Sequence, residues 1–272
     1  MRYLGVDLAW SDSTQARETG VAALESDGRV SAAGWTVGVA GTTAWLEQHA
    51  GGEALAFVDA PLLVLNQPRT QRMCEKQVGQ RYGRWKVSAN STNLGTRHLA
   101  GVTLRREMEA RGWAYDDGLG DSFPEGSRLV SECYPYTTLV GAPELGYDQE
   151  RPLYKRKPRR LSAVEWRPMR AAACDELVRR IDALSDVTPS LDLRSNPVTQ
   201  SLLEPSPLED RAYKHREDLI DALLAAWTAA LWHNQRLTRC QVLGAGDPVV
   251  DAHGARATII APARQEQRLA PP

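Results

Sequence analysis

Two aspartates three residues apart, Asp218 and Asp221, lie in the run His215-Arg-Glu-Asp-Leu-Ile-Asp-Ala-Leu-Leu-Ala-Ala-Trp-Thr-Ala-Ala230. On a helix that spacing puts them on one face. The helix is otherwise apolar, so this face carries charge into a largely buried element, and a buried carboxylate is costly without a partner. The run offers few cations of its own, and a divalent metal is the simplest partner. Asp7, within Tyr3-Leu-Gly-Val-Asp-Leu-Ala-Trp10, and Asp59, ending Ala54-Leu-Ala-Phe-Val-Asp59, are matching acids. Crowded carboxylates repel one another unless cations bridge them. Hard oxygen donors select Mg²⁺ or Mn²⁺, and a pair of such ions roughly 4 Å apart can activate water and stabilise the leaving oxygen in phosphodiester cleavage. That chemistry needs no Cys or Ser nucleophile. Taken singly, Asp7 can be a turn cap, Asp59 a strand end and Asp218 a solvated helix residue. Asp221, among Leu219, Ile220, Leu223 and Leu224, is hardest to explain that way. Asp7, Asp59, Asp218 and Asp221 are therefore the candidate metal ligands and catalytic acids.

Other residues could serve the same chemistry. Glu132, in Ser131-Glu-Cys-Tyr-Pro135, reads either as a metal ligand or substrate contact, or as half of an ion pair with a nearby Arg. His215, one turn before Asp218, reads as a proton shuttle or as a lone surface histidine. His49, His98, His233 and His253 show no ligand spacing. Two segments are locally basic with aromatic residues between the cations: one from Arg69 to Lys86, the other from Arg151 to Arg160. Cations bind phosphates and aromatic rings stack bases. Arg72, Arg84, Trp85, Tyr154 and Lys155 are thus candidate contacts to a nucleic acid, DNA or RNA being left open. The plainer alternative for each run is a solvated charged face.

These residues need rigid elements to position them. Residues 3–9, 20–24 and 29–37 read as strands, with Ser26-Asp-Gly28 as the turn of an antiparallel hairpin. A short helix capped by Thr42 or Thr43 ends near Gly51, and Ala54 to Asp59 returns as a fourth strand parallel to the first. The pattern predicts an α/β fold with a mixed sheet, its first three strands antiparallel and the fourth parallel. Residues 66–127 read as a mostly helical insertion, with helices at 69–82 and 96–111, before a strand at 128–133. Ala163 to Leu184 is an amphipathic helix, 185–210 a long loop, Tyr213 to Gln235 the acidic helix and 256–260 a last strand. One domain over 1–262 is expected, with 263–272 a frayed tail.

The bulk numbers exclude several classes. The chain has 272 residues, 42% hydrophobic and 25% charged, an ordinary globular composition with room for a substantial core. With 33 Lys+Arg against 34 Asp+Glu, global charge does not decide for or against a polyanion partner. Cys74, Cys133, Cys174 and Cys240 form no C-x-x-C pair, so no zinc ribbon or redox motif is expected, and reduced, buried thiols are. Asp7 interrupts the first apolar run, and Asp221 interrupts Leu219–Trp232, so neither a signal peptide nor a membrane span is expected and a cytoplasmic protein is. Gly244-Ala-Gly-Asp247 reads as a turn, and no G-x-x-x-x-G-K-[ST] occurs.

Gly5-Val-Asp7 on a first strand, an acid after the fourth strand, and Asp218-x-x-Asp221-Ala-Leu on a late helix resemble the ribonuclease H-like superfamily, the last motif its Holliday-junction resolvase branch. Resolvases of this fold usually place Glu near the fourth strand, where this chain has Asp59. Over nearly its whole length the chain is similar to domain-of-unknown-function family 429, described as predicted nucleases of that fold. The shared pieces are Gly5-Val-Asp-Leu-Ala-Trp10, Asp59-Ala-Pro-Leu62, Arg72-Met-Cys-Glu75, Glu132-Cys-Tyr-Pro135, Tyr154-Lys155 and Asp221-Ala-Leu-Leu-Ala-Ala226. The resemblance implies a ribonuclease H-like sheet flanked by helices and a metal-dependent nuclease. The rival readings are an actin-like or sugar-kinase-type ATPase or phosphotransferase, which shares the first strand's Gly-x-Asp, and a non-catalytic nucleic-acid-binding module.

Overall fold

The structure, a computed structural model, describes residues 1–9 and 18–269. Trp10, the last residue of the first shared motif, lies outside them, as do 270–272 at the end of the expected tail.

Three strands open the chain, β1 (Arg2–Asp7), β2 (Glu18–Leu24) and β3 (Val30–Val37), followed by helix α1 (Gly38–Ala50) and β4 (Ala54–Val58). Then come α2 (Met73–Tyr82), α3 (Ala100–Glu109), a short β5 (Ala114–Tyr115) and β6 (Arg128–Glu132). Helices α4 (Pro135–Gly141), α5 (Ala163–Asp182), α6 (Pro197–Gln200) and α7 (Asp210–Arg239) lead to a small hairpin, β7 (Cys240–Leu243) and β8 (Ile259–Pro262). The main sheet runs β3-β2-β1-β4-β6-β5. Strands β1, β2 and β3 pair antiparallel, β4 lies parallel to β1, and β6 lies parallel to β4. The expected mixed sheet is thus present.

Side chains alternate across each strand. Tyr3, Ala22, Leu24, Leu55 and Phe57 pack in the layer that contains α7, α2, α4 and α5. Leu4, Val6, Val21, Ala56 and Val58 pack in the opposite layer against Leu46 of α1 and Leu104 of α3. The segment 66–127 is not a purely helical appendage. Its helices α2 and α3 cover opposite faces of the sheet, and β5 joins the sheet edge beside β6.

Helix α7 is the spine of the first layer. Glu209 caps it, accepting from the backbone N–H groups of Arg211 at 2.9 Å and Ala212 at 2.7 Å. From Arg216 to Trp232 its residues are buried, which suits its Ala- and Leu-rich sequence. Two glycines let it lie directly on the sheet. A Cβ on Gly5 would sit 1.9 Å from the Ala222 carbonyl oxygen, and one on Gly20 2.1 Å from that of Asp218. The helix therefore touches β1 and β2 at backbone distance, at Asp218 and at Ala222, the neighbour of Asp221.

Residues 263–269 are packed rather than frayed. Gln267 is fully buried, and its side-chain N–H donates to the Val140 carbonyl at 3.1 Å. The four cysteines are buried and unpaired. Among the described residues no helix is long and apolar enough to cross a membrane.

Candidate functional site

Strand alternation aims the first two acids. Asp7 follows Tyr3 and Gly5 on the α7 face of β1, and Asp59 follows Leu55 and Phe57 on the same face of the neighbouring strand. In the parallel register Val6 sits beside Val58, and the Asp59 N–H donates to the Val6 carbonyl at 2.8 Å. The two carboxylates therefore emerge side by side at the carboxyl ends of adjacent strands. Helix α7, seated on Gly5 and Gly20, brings Asp221 to meet them. Asp7, Asp59 and Asp221 each place a carboxylate oxygen within 4.8 Å of the other two.

Asp218, one turn earlier, feels the Asp7 charge and is held by Lys214 at 2.5 Å. Lys214 also reaches Glu217 at 2.8 Å. Burial, together with the Asp7 charge, pushes the Asp218 carboxyl up to about 8 against the attraction of Lys214. Asp59 is likewise pushed up to about 8, by enclosure of its carboxyl first and the Asp7 charge second, although the residue keeps some accessible surface. Both shifts come first from burial and second from the neighbouring Asp7 charge, which the nearby lysines do not offset. A set of clustered, hard oxygen donors in excess of local cations fits Mg²⁺ or Mn²⁺, with Asp7, Asp59 and Asp221 as the holding residues.

Two predicted substrate contacts turn out to be partners of Asp221. The Tyr154 hydroxyl donates to its Oδ1 at 2.7 Å, and Lys155 Nζ forms an ion pair with its Oδ2. Tyr154 is fully buried and offers no ring face to a base. Trp85 is also buried, its indole N–H donating to the Asp148 carbonyl at 2.8 Å, so base stacking on it is ruled out as the fold stands. Arg84 is exposed, lying over the Trp85 ring.

Glu132 does not join the acidic group. It is in register with Val58, whose side chain packs in the opposite layer, so it leaves the sheet on the other face from Asp59. There it is buried and forms a forked ion pair with Arg72 at 2.8 and 2.6 Å, and it accepts from the Leu62 N–H at 3.1 Å. Arg72 is 2% exposed and also binds Glu75, which ties down Thr92. The ion-pair reading therefore replaces the ligand and substrate-contact readings of Glu132 and Arg72. His215 pairs with Glu18 of β2 and lies against the Trp35 ring, on the β2–β3 side of the helix. Its imidazole is engaged there rather than aimed at the acidic trio.

The two basic segments meet in space. The Arg151 N–H donates to the Trp85 carbonyl at 3.1 Å, its guanidinium donates to the Lys86 carbonyl at 2.8 Å, and Arg156 reaches Asn90. Asn90 and Asp59 line one small cavity of about 40 Å³. Exposed Arg156 is thereby linked through Asn90 to the cavity that Asp59 lines, and Arg84, Arg159 and Arg160 are exposed on the same two segments. The sequence reading missed that Tyr154 and Lys155 serve Asp221. Their signal was the adjacency of a phenol and an ammonium, which is also what a nucleic-acid contact looks like.

No curated protein and no solved structure matches the chain. A family described as a protein of unknown function (DUF429) matches it over residues 5–242, a span that takes in Asp7, Asp59, Lys155, Asp218 and Asp221. The chain therefore belongs to the DUF429 family.

Proposed function

We propose that the protein is a divalent-metal-dependent nuclease of ribonuclease H-like fold, hydrolysing phosphodiester bonds at Asp7, Asp59 and Asp221, with Asp218 buttressing Asp7. One observation carries this reading: carboxylates from two strands and a helix, far apart in sequence, converge within 4.8 Å. The sheet order and the seat of α7 on β1 and β2 support the fold assignment. When bound, Mg²⁺ or Mn²⁺ would supply Lewis acidity, activating water for attack and offsetting charge on the phosphate. The chain's own residues do the rest. Tyr154 and Lys155 orient Asp221, and Lys214 holds Asp218. Exposed arginines beside the site attract the polyanion.

The actin-like or sugar-kinase-type alternative fits less well. Small-molecule sites enclose about 300–1,000 Å³; a cavity of that size, about 890 Å³, is lined by Gln77, Arg236 and Gly246 and by none of the acidic trio, whereas the one beside Asp59 measures about 40 Å³. An extended substrate suits this small cavity better than a nucleoside triphosphate held in a pocket. The test compares wild type with Asp7→Asn on linear and branched DNA, RNA and hybrid duplexes with Mn²⁺ present. Wild type is expected to cut at least one of them and Asp7→Asn none. If wild type cuts none of them, or if the variant cuts as fast as wild type, the assignment fails.

A further inference from the structure

The acidic site already contains a tethered cation. Consecutive residues of one segment engage both oxygens of one carboxylate: Tyr154 donates to Asp221 Oδ1 at 2.7 Å and Lys155 pairs with Oδ2. This is not a loose surface pair. The Asp221 side chain is 0% exposed and that of Lys155 17%. The Lys155 ammonium lies 5.3 and 5.4 Å from the ring centres of Tyr136 and Tyr154, whose faces favour a cation. The segment is anchored in turn, because the Tyr213 hydroxyl of α7 donates to the Tyr154 carbonyl at 2.6 Å.

Fully ionised, as a bound cation would hold it, the converging trio carries three negative charges, and Lys155 cancels one of them. Beside it, Lys214 is shared between Asp218 and Glu217, leaving one further negative charge. With one divalent ion the ionised group keeps one negative charge and with two it would carry one positive charge, so the count is decided by the Asp221 oxygen that Lys155 holds. A second ion would need that oxygen.

Building on the metal-centre reading, we propose that Lys155 stands in for a second metal ion, so that the site takes one divalent ion and the ammonium holds the remaining oxygen of Asp221. The test counts Mn²⁺ bound per full-length chain by electron paramagnetic resonance of the free ion. Wild type and Lys155→Arg are expected to bind one, and Lys155→Met two. Two ions on wild type, or one ion at unchanged affinity on folded Lys155→Met, overturns the inference and leaves the metal centre standing. No ion on any of the three removes both. Should Lys155→Met fail to fold, the other two proteins decide: one ion on each supports the inference, and two on either overturns it.

Discussion

Asp59 and Asp218 sit in surroundings that favour their neutral forms, and this gives the protein an unusual pH dependence. Both are pushed from 3.8 up to about 8 by burial and by the charge of Asp7. Between those values the folded protein retains protons that the unfolded chain has released, so these groups lower stability as pH rises from 3.8 to about 8. In metal-free buffer the melting temperature is expected to fall across that window by at least a few degrees, on a scale of about 2–4 °C per kcal/mol. Asp218→Asn is expected to flatten the slope, and a calorimetric pH series checks both. Added Mn²⁺ is expected to stabilise most at the alkaline end. At this scale the acids were legible because each interrupts an apolar run. The partnership of Arg72 with Glu132, and of Lys155 with Asp221, was not, because nothing local in a chain says which of several cations reaches a given carboxylate across more than 50 residues.

The elements that aim these side chains were partly readable. Alternating strands and the long Ala/Leu helix announced themselves, and their order implied the parallel fourth strand. Strand β7 did not, because Cys240-Gln-Val-Leu follows α7 with no glycine or proline to mark the break, the chain turning instead at Arg236 in a positive-φ conformation. Helix α4 was hidden because Pro-Tyr-Thr-Thr-Leu-Val-Gly is short, β-branched and buried throughout, with no amphipathic pattern to betray it. Strand β5 has two residues, too few to show alternation. The role of Gly5 follows from the packing. Gly5→Ala is expected to cost roughly 1–3 kcal/mol or more, since its methyl would meet the Ala222 carbonyl and the Ala226 amide at 1.9 and 2.4 Å. Urea denaturation reads the loss. Because the displaced helix carries Asp221, Mn²⁺ affinity is expected to fall with it, and an unchanged affinity would separate the site from the seat of α7.

Over the whole molecule, near-zero net charge, 33 basic against 34 acidic residues, leaves local placement to decide, and exposed Arg156, Arg159 and Arg160 share the segment that supplies Lys155 to Asp221. If that segment holds phosphates, replacing Arg156, Arg159 and Arg160 together with Gln should weaken nucleic-acid binding on every sequence alike while leaving Mn²⁺ affinity intact. The dependence of log affinity on log salt should flatten by about 0.7–0.9 for each phosphate no longer neutralised. An unchanged slope would place the substrate elsewhere. The opposite charges meet because the fold brings the 84–90 and 148–156 segments against each other and next to strand ends more than 20 residues distant in the chain. The central claim is that Asp7, Asp59 and Asp221 form a metal centre, and a crystal grown with Mn²⁺ tests it most directly. An anomalous peak bridging those three carboxylates is the expected result. A well-ordered site with no peak there would contradict the account.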